Sequence, residues 1–172
     1  HTKSKNLPFN ESLKKLKNLI EDNSIKKVGQ NIKYDFIVLK KYGITINPYE
    51  DTMLVSYTLD AGLNRHNLDS LSEIHLGHKT ISYKDVTGTG KNKLNFADVN
   101  LKDATMYAAE DADVTLRLFN FLKNRLDQEK LNKIYEVFEK PMVKLLAEME
   151  TKGIKVNKNY LMDLSKKFQN RI

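Results

Sequence analysis

Glu110, Asp111 and Asp113 crowd into the stretch MYAAEDADVT, residues 106–115. Carboxylates this close repel one another and a helix does not need them, which points to something cationic seated nearby. On a helix, residues four apart share a face, so Tyr107 and Asp111 reach into one space, and Ala108 and Ala109 leave it uncrowded. Asp113 falls on a different face. Glu110 is offset as well, which suits solvation or pairing with a base. A second acid-bearing stretch is GQNIKYD, residues 29–35, which opens a helix after a short strand and sets Tyr34 and Asp35 in its first turn or so. Each aspartate also has a plain use: Asp35 complements a helix dipole, and Asp111 suits a surface salt bridge. Together, two aspartates from separate helices with a tyrosine beside them suit Mg²⁺, a hard cation that prefers oxygen. Two such ions about 4 Å apart activate a water and stabilise the leaving oxygen in phosphodiester hydrolysis, and the tyrosine would orient the water.

The elements that must position these groups are read from periodicity. The chain has 172 residues, with 40% hydrophobic and 30% charged, enough apolar content for a core and no low-complexity tract. A helix is expected after Asn10 as N-cap, with Leu13, Leu16, Leu19 and Ile20 at helical spacing. A strand and turn are expected over 25–31. A second helix runs from about Ile32 until Gly43, and ITI at 44–46 is too short to assign. Further helices are expected over 51–60 and 67–77, the latter ended by Gly77. Residues 81–96 read as a mobile basic loop. Its Gly-Thr-Gly beside Lys91 lacks the spacing of a phosphate-binding loop. Asn100 caps the longest helix, with Asp103 three residues on, to about Leu126. Another helix follows over 131–152, with a kink expected at Pro141 and a stop at Gly153. Asn157 caps a last one. The best composition break, at 127–131, divides the chain into 1–128 and 129–172.

Lys and Arg outnumber Asp and Glu by 29 to 22, a net charge of +7 that fits a polyanionic partner such as nucleic acid, or merely solvated lysine-rich faces. There is no cysteine, which excludes disulfides, thiolate metal sites and cysteine nucleophiles and suits a cytoplasmic protein. No apolar run approaches the roughly 18 residues that cross a membrane, and no signal peptide is visible.

These residues carry a family resemblance. KVGQNIKYD resembles the Asn-x-x-x-Asp motif, and YAAEDAD the Tyr-x-x-x-Asp motif, of the DEDDy proofreading exonuclease in bacterial, family A DNA polymerase I. The sequence between them is similar to that family nearly throughout, and FEKPMVKLLAEMETKGIKVN resembles the junction into the polymerase domain rather than any part of ribonuclease D. The resemblance implies an α/β ribonuclease H-like fold and removal of 3′-terminal nucleotides from single-stranded DNA with two Mg²⁺ or Mn²⁺ ions. It implies that Asp111 ligates the first metal, Asp35 helps hold the second through water, and Tyr107 orients the attacking water. It places Gln30, Asn31 and Tyr34 at the terminal nucleotides, Arg65 and His66 on the DNA strand, and Leu68 and Tyr83 against bases. Each has a plainer use: Arg65 in a salt bridge, His66 on a loop carbonyl, Leu68 in the core. His75 and His78 have no motif support. The implied partners are a single-stranded 3′ end and primer-template DNA, bound by a monomer.

One departure matters. The family's first motif, Asp-x-Glu on the first strand of its sheet, belongs before the strand at 26–29, and no such element stands there. The chain is therefore expected to be an internal fragment of a longer gene product, mostly helical, inactive by itself, with apolar helix faces exposed. A non-catalytic DNA-binding scaffold of the same fold is the competing expectation.

Overall fold

A short parallel β–α–β unit sits at the heart of the chain. The structure, a computed structural model, describes residues 7–171. Strand β1 (Lys27–Gly29) pairs with β2 (Tyr49–Asp51), Val28 opposite Glu50, and helix α2 (Ile32–Lys40) makes the crossover between them. Ahead of the unit lies α1 (Phe9–Ile20), and after it come α3 (Thr52–Asp60) and α4 (Leu68–Leu76). A short α5 (Tyr83–Thr87) and two single 3₁₀ turns lead into α6 (Leu101–Gln128). The rest is α7 (Asn132–Ile134), a π-helical turn at Tyr135–Glu139, α8 (Lys140–Lys152) and α9 (Lys158–Gln169). The chain is mostly helical, as the sequence predicts.

Several details differ from expectation for physical reasons. Helix α1 begins one residue before Asn10, with Pro8 at its N-cap. Segment 44–46, too short to assign from the sequence, forms no strand. The second strand is Tyr49–Asp51, all three residues buried, although two are acids. Their burial is tolerated because both carboxylates are hydrogen-bonded, Glu50 by Tyr135 and Lys140 from far along the chain and Asp51 by the backbone amides of Asn31, Ile32 and Met53. The supposed loop at 81–96 contains α5, started by a full capping box in which Ser82 and Asp85 bond each other's backbone amides. Pro141 has no N–H for an intrahelical bond, and the helix around it opens into the π turn at 135–139 just upstream. Asn100 caps α6 and Asn157 caps α9, each accepting a backbone N–H three residues on.

Two clusters hold the elements together. Val55, Leu71, Leu118, Leu122, Leu126 and Tyr135 join α3, α4 and α6 to the π turn. Ile32, Ile46, Tyr49 and Val143 seat α2 and β2 on α8. Elsewhere apolar side chains stay exposed, among them Leu16, Met106, Leu116, Ile154 and Tyr160. Among the described residues no helix is long and apolar enough to cross a membrane.

Candidate active site

One stripe of α6 makes the site. Its inward positions run Ala104, Tyr107, Asp111, Val114 and Thr115, Leu118, Leu122, Leu126, the three- and four-residue steps of a helix face. The lower half of the stripe is core. The upper half is interrupted by a hydroxyl and an acid, which open into a cavity of about 390 Å³ beyond the end of β1. Gly29, Gln30, Leu68, Asp69, Tyr107 and Asp111 line it. Within it the Tyr107 hydroxyl lies beside the Asp111 carboxylate, each acting on the other's titration. Burial first, then the neighbouring Asp111 charge, pushes the tyrosine up to about 12, so it keeps its proton at neutral pH. Burial also raises the Asp111 carboxyl; the nearby Tyr107 hydroxyl opposes this, and the charges of Asp69 and Glu110 add to it.

An aromatic shelf leads to that pair. Tyr83 stacks on Phe96 with ring centroids 5.9 Å apart, and Tyr107 meets both rings edge-on. Lys93 lies over the outer face of Tyr83. The shelf is held by Glu110, which takes His78 Nε2 at 2.8 Å and the Ile81 backbone N–H at 2.6 Å. Asp113 pairs with Arg117 on the solvent face. The three crowded acids thus do three jobs: Glu110 anchors a loop, Asp111 faces the cavity and Asp113 pairs along the helix. Glu110→Ala is expected to cost about 1–3 kcal/mol in a urea titration, because the Ile81 amide loses its partner.

Gln30 donates to the His66 carbonyl and accepts from Thr52, while Ser56 meets His66 Nδ1 at 2.9 Å. Gln30 and His66 are therefore fixed from beneath by α3, through two hydroxyls that sequence reasoning missed. Arg65 beside them is exposed and has no ion pair among the described residues. Leu68 lines the cavity and packs against the larger core cluster. Asp69 was also missed. It sits in the first turn of α4, accepts from the Thr80 hydroxyl at 2.8 Å and faces Asp111. Asn31 adopts a left-handed backbone, φ 58°, at the start of α2. Tyr34 and Asp35 are solvent-accessible on α2, outside the cavity, and partial desolvation raises the Asp35 carboxyl.

The carboxylates are hard oxygen donors of the kind Mg²⁺ takes. They are too few in one place: among the described residues no group of three or more His, Asp or Glu side chains is arranged to hold a metal ion. The chain does contain one Asp-x-Glu, at Asp127 and Glu129, but on the far end of α6, where Lys123, Asn132 and Arg125 engage it.

The model of the 3′–5′ exonuclease family found with DNA polymerase A matches residues 4–127. The chain belongs to that exonuclease family. DNA polymerase I of Rhizobium leguminosarum is 51% identical over 159 residues, which is 92% of this chain and 16% of that protein. DNA polymerase I of Borreliella burgdorferi is 44% identical over 88% of this chain and 16% of its own length. That of Pseudomonas aeruginosa is 42% identical over 87% and 17%. The exonuclease chain thus spans about a sixth of the curated relatives it matches. Its fold resembles the solved POL domain of Pol1 from M. smegmatis, in complex with DNA primer-template and dNTP, with a TM-score of 0.71 at 21% identity. That match covers 98% of this chain and 26% of the other.

Proposed function

We propose that this chain is part of a DNA polymerase I and contributes to a 3′–5′ exonuclease site that trims terminal nucleotides from a DNA strand during replication and repair. The observation that carries the reading is that Tyr107 and the desolvated Asp111 face one cavity, walled by Gln30 and Leu68 and approached over Tyr83. On this reading residues 1–128 belong to a ribonuclease H-like exonuclease and 129–172 begin the polymerase region. Gln30, Asn31 and Tyr34 meet the terminal nucleotides, Arg65 and His66 the strand, and Leu68 and Tyr83 the bases. Two divalent ions, Mg²⁺ or Mn²⁺, would supply an activated water and a stabilised leaving oxygen, and Asp111 and Asp35 would be among the residues that hold them. The donor set in this chain is incomplete, so the 172 residues by themselves are expected not to hydrolyse DNA.

Tyr107 keeps its proton, so the side chain acts by holding a hydrogen-bonded water and not as a base. Tyr107→Phe is expected to slow hydrolysis about a hundredfold in a polypeptide with a complete site, while DNA affinity, read by fluorescence anisotropy, stays within about twofold. A large loss of affinity would instead make Tyr107 a DNA-holding residue.

The incomplete donor set also favours a second reading, a DNA-binding module without hydrolysis. One experiment separates the two: join this chain to an upstream segment carrying the family's Asp-x-Glu strand and follow Mg²⁺-dependent release from a 3′-labelled oligonucleotide. Release supports the exonuclease. Salt-sensitive binding with no release leaves the module.

A further inference from the structure

We infer that Tyr135, Glu50 and Asp51 form a latch through which the helix over 132–152, beyond the residues matched by the exonuclease model, sets the first turn of α2. What α2 then does rests on the exonuclease reading; the latch itself rests on contacts.

The argument starts at Asp51, which is 2% exposed. Its carboxylate accepts the backbone N–H groups of Asn31 and Ile32, each at 3.0 Å, and of Met53 at 2.9 Å. One side chain therefore caps two helices, α3 as its own N-cap and α2 from across the sheet. Helix α2 depends on this, because Asn31 makes no side-chain cap bond of its own.

Asp51 is in turn held by Tyr135. The Asp51 N–H donates to the Tyr135 hydroxyl at 3.1 Å, and that hydroxyl donates to Glu50 at 2.8 Å. The Glu50 carboxylate also takes Lys26 at 3.1 Å and Lys140 at 3.2 Å. Tyr135 is fully buried at the first position of the π turn. A π turn adds a residue to the helix and re-aims the side chains around it, a feature often found at functional sites. A second tie runs parallel: Lys33 on α2 pairs with Glu150 on α8, and the Tyr49 hydroxyl donates to the Lys140 carbonyl at 2.9 Å. A displacement of the 132–152 helix therefore reaches Asn31, Tyr34 and Asp35 through Asp51. Tyr135 and Asp51 are positioning residues.

Tyr135→Phe tests this, since it keeps the ring in the core and removes only the hydroxyl. In the 172-residue chain, hydrogen exchange at the Asn31 and Ile32 amides is expected to quicken about tenfold, with the amides of Leu118 and Leu122 unchanged. Affinity for a 3′-ended single-stranded oligonucleotide is expected to fall about three- to tenfold. Ile44→Val, a buried change outside the network, serves as the control for general loosening. Should Tyr135→Phe fail to fold, Asp51→Asn carries the test, because it keeps the volume, turns one acceptor into a donor, and should quicken either Ile32 or Asn31 together with Met53, which share one Asp51 oxygen. Uniform acceleration, or none at Asn31 and Ile32, overturns the latch. Local acceleration in a chain that binds no DNA keeps the latch and sinks the exonuclease reading instead.

Discussion

With the family's Asp-x-Glu strand supplied ahead of this chain, Asp111→Ala is expected to cut Mg²⁺-dependent release of 3′ nucleotides by about a thousandfold or more. A lost carboxylate ligand removes several kcal/mol of charge stabilisation, and every 1.36 kcal/mol is about a factor of ten in rate. The same change is expected to raise the thermal midpoint at pH 7 by a few degrees. Asp111 sits just above the core half of its helix stripe, and burial raises its carboxyl above the ordinary range. The folded state thus holds this proton more tightly than the unfolded chain, so ionised Asp111 opposes folding. That opposition is absent below the usual carboxylate range, grows as pH rises through the folded value, and is complete above it. Alanine abolishes it, and a gain in stability alongside lost function is the mark of a site residue. Thermal scans at pH 7 on the isolated chain check this. Lost hydrolysis with a lowered midpoint would mean that Asp111 is structural.

Leu122→Ala is expected to be the most damaging of the stability variants, at about 3–5 kcal/mol in a urea titration. Leu122 is fully buried, in the cluster where α3, α4, α6 and the π turn meet. Among the described residues six buried side chains make up that cluster, with Leu54, Leu59, Leu68, Leu76 and Leu131 packed against it, so the cavity opens where four elements meet. Against a typical total of about 5–15 kcal/mol, such a loss leaves much of the chain unfolded. A cost under about 1 kcal/mol would show that the helices are held mainly by something other than this cluster.

The long helix was legible because its signals are local. Asn100 begins it, the apolar period runs along it, and the four-residue step from Tyr107 to Asp111 puts both on one face. The helix at 83–87 was equally local, but its capping box lay among glycines and lysines that read as loop. Strand β2 could not be read at all. Tyr-Glu-Asp is a polar triplet, and its burial depends on Tyr135 and Lys140, 85 and 90 residues from Glu50. Thr52, Ser56 and Asp69 were missed for a similar reason: a hydroxyl under a glutamine or an acid across a cavity leaves no periodic trace. The roles proposed for Gln30, Arg65 and His66 rest on family resemblance, since composition and spacing say nothing of a base or a phosphate.

Helix α6 is also a gauge block. A single rod fixes the buried leucines at one end and the tyrosine–aspartate pair at the other, and each residue along it advances about 1.5 Å and turns about 100°. Deleting one residue between Asp111 and Leu118 would leave every side chain of the pair present yet swing it about 100° away from the cavity. Point substitutions on the solvent side of this stretch are tolerable, whereas changes in its length are not. The spacing between core and acid is as much part of the site as the acid.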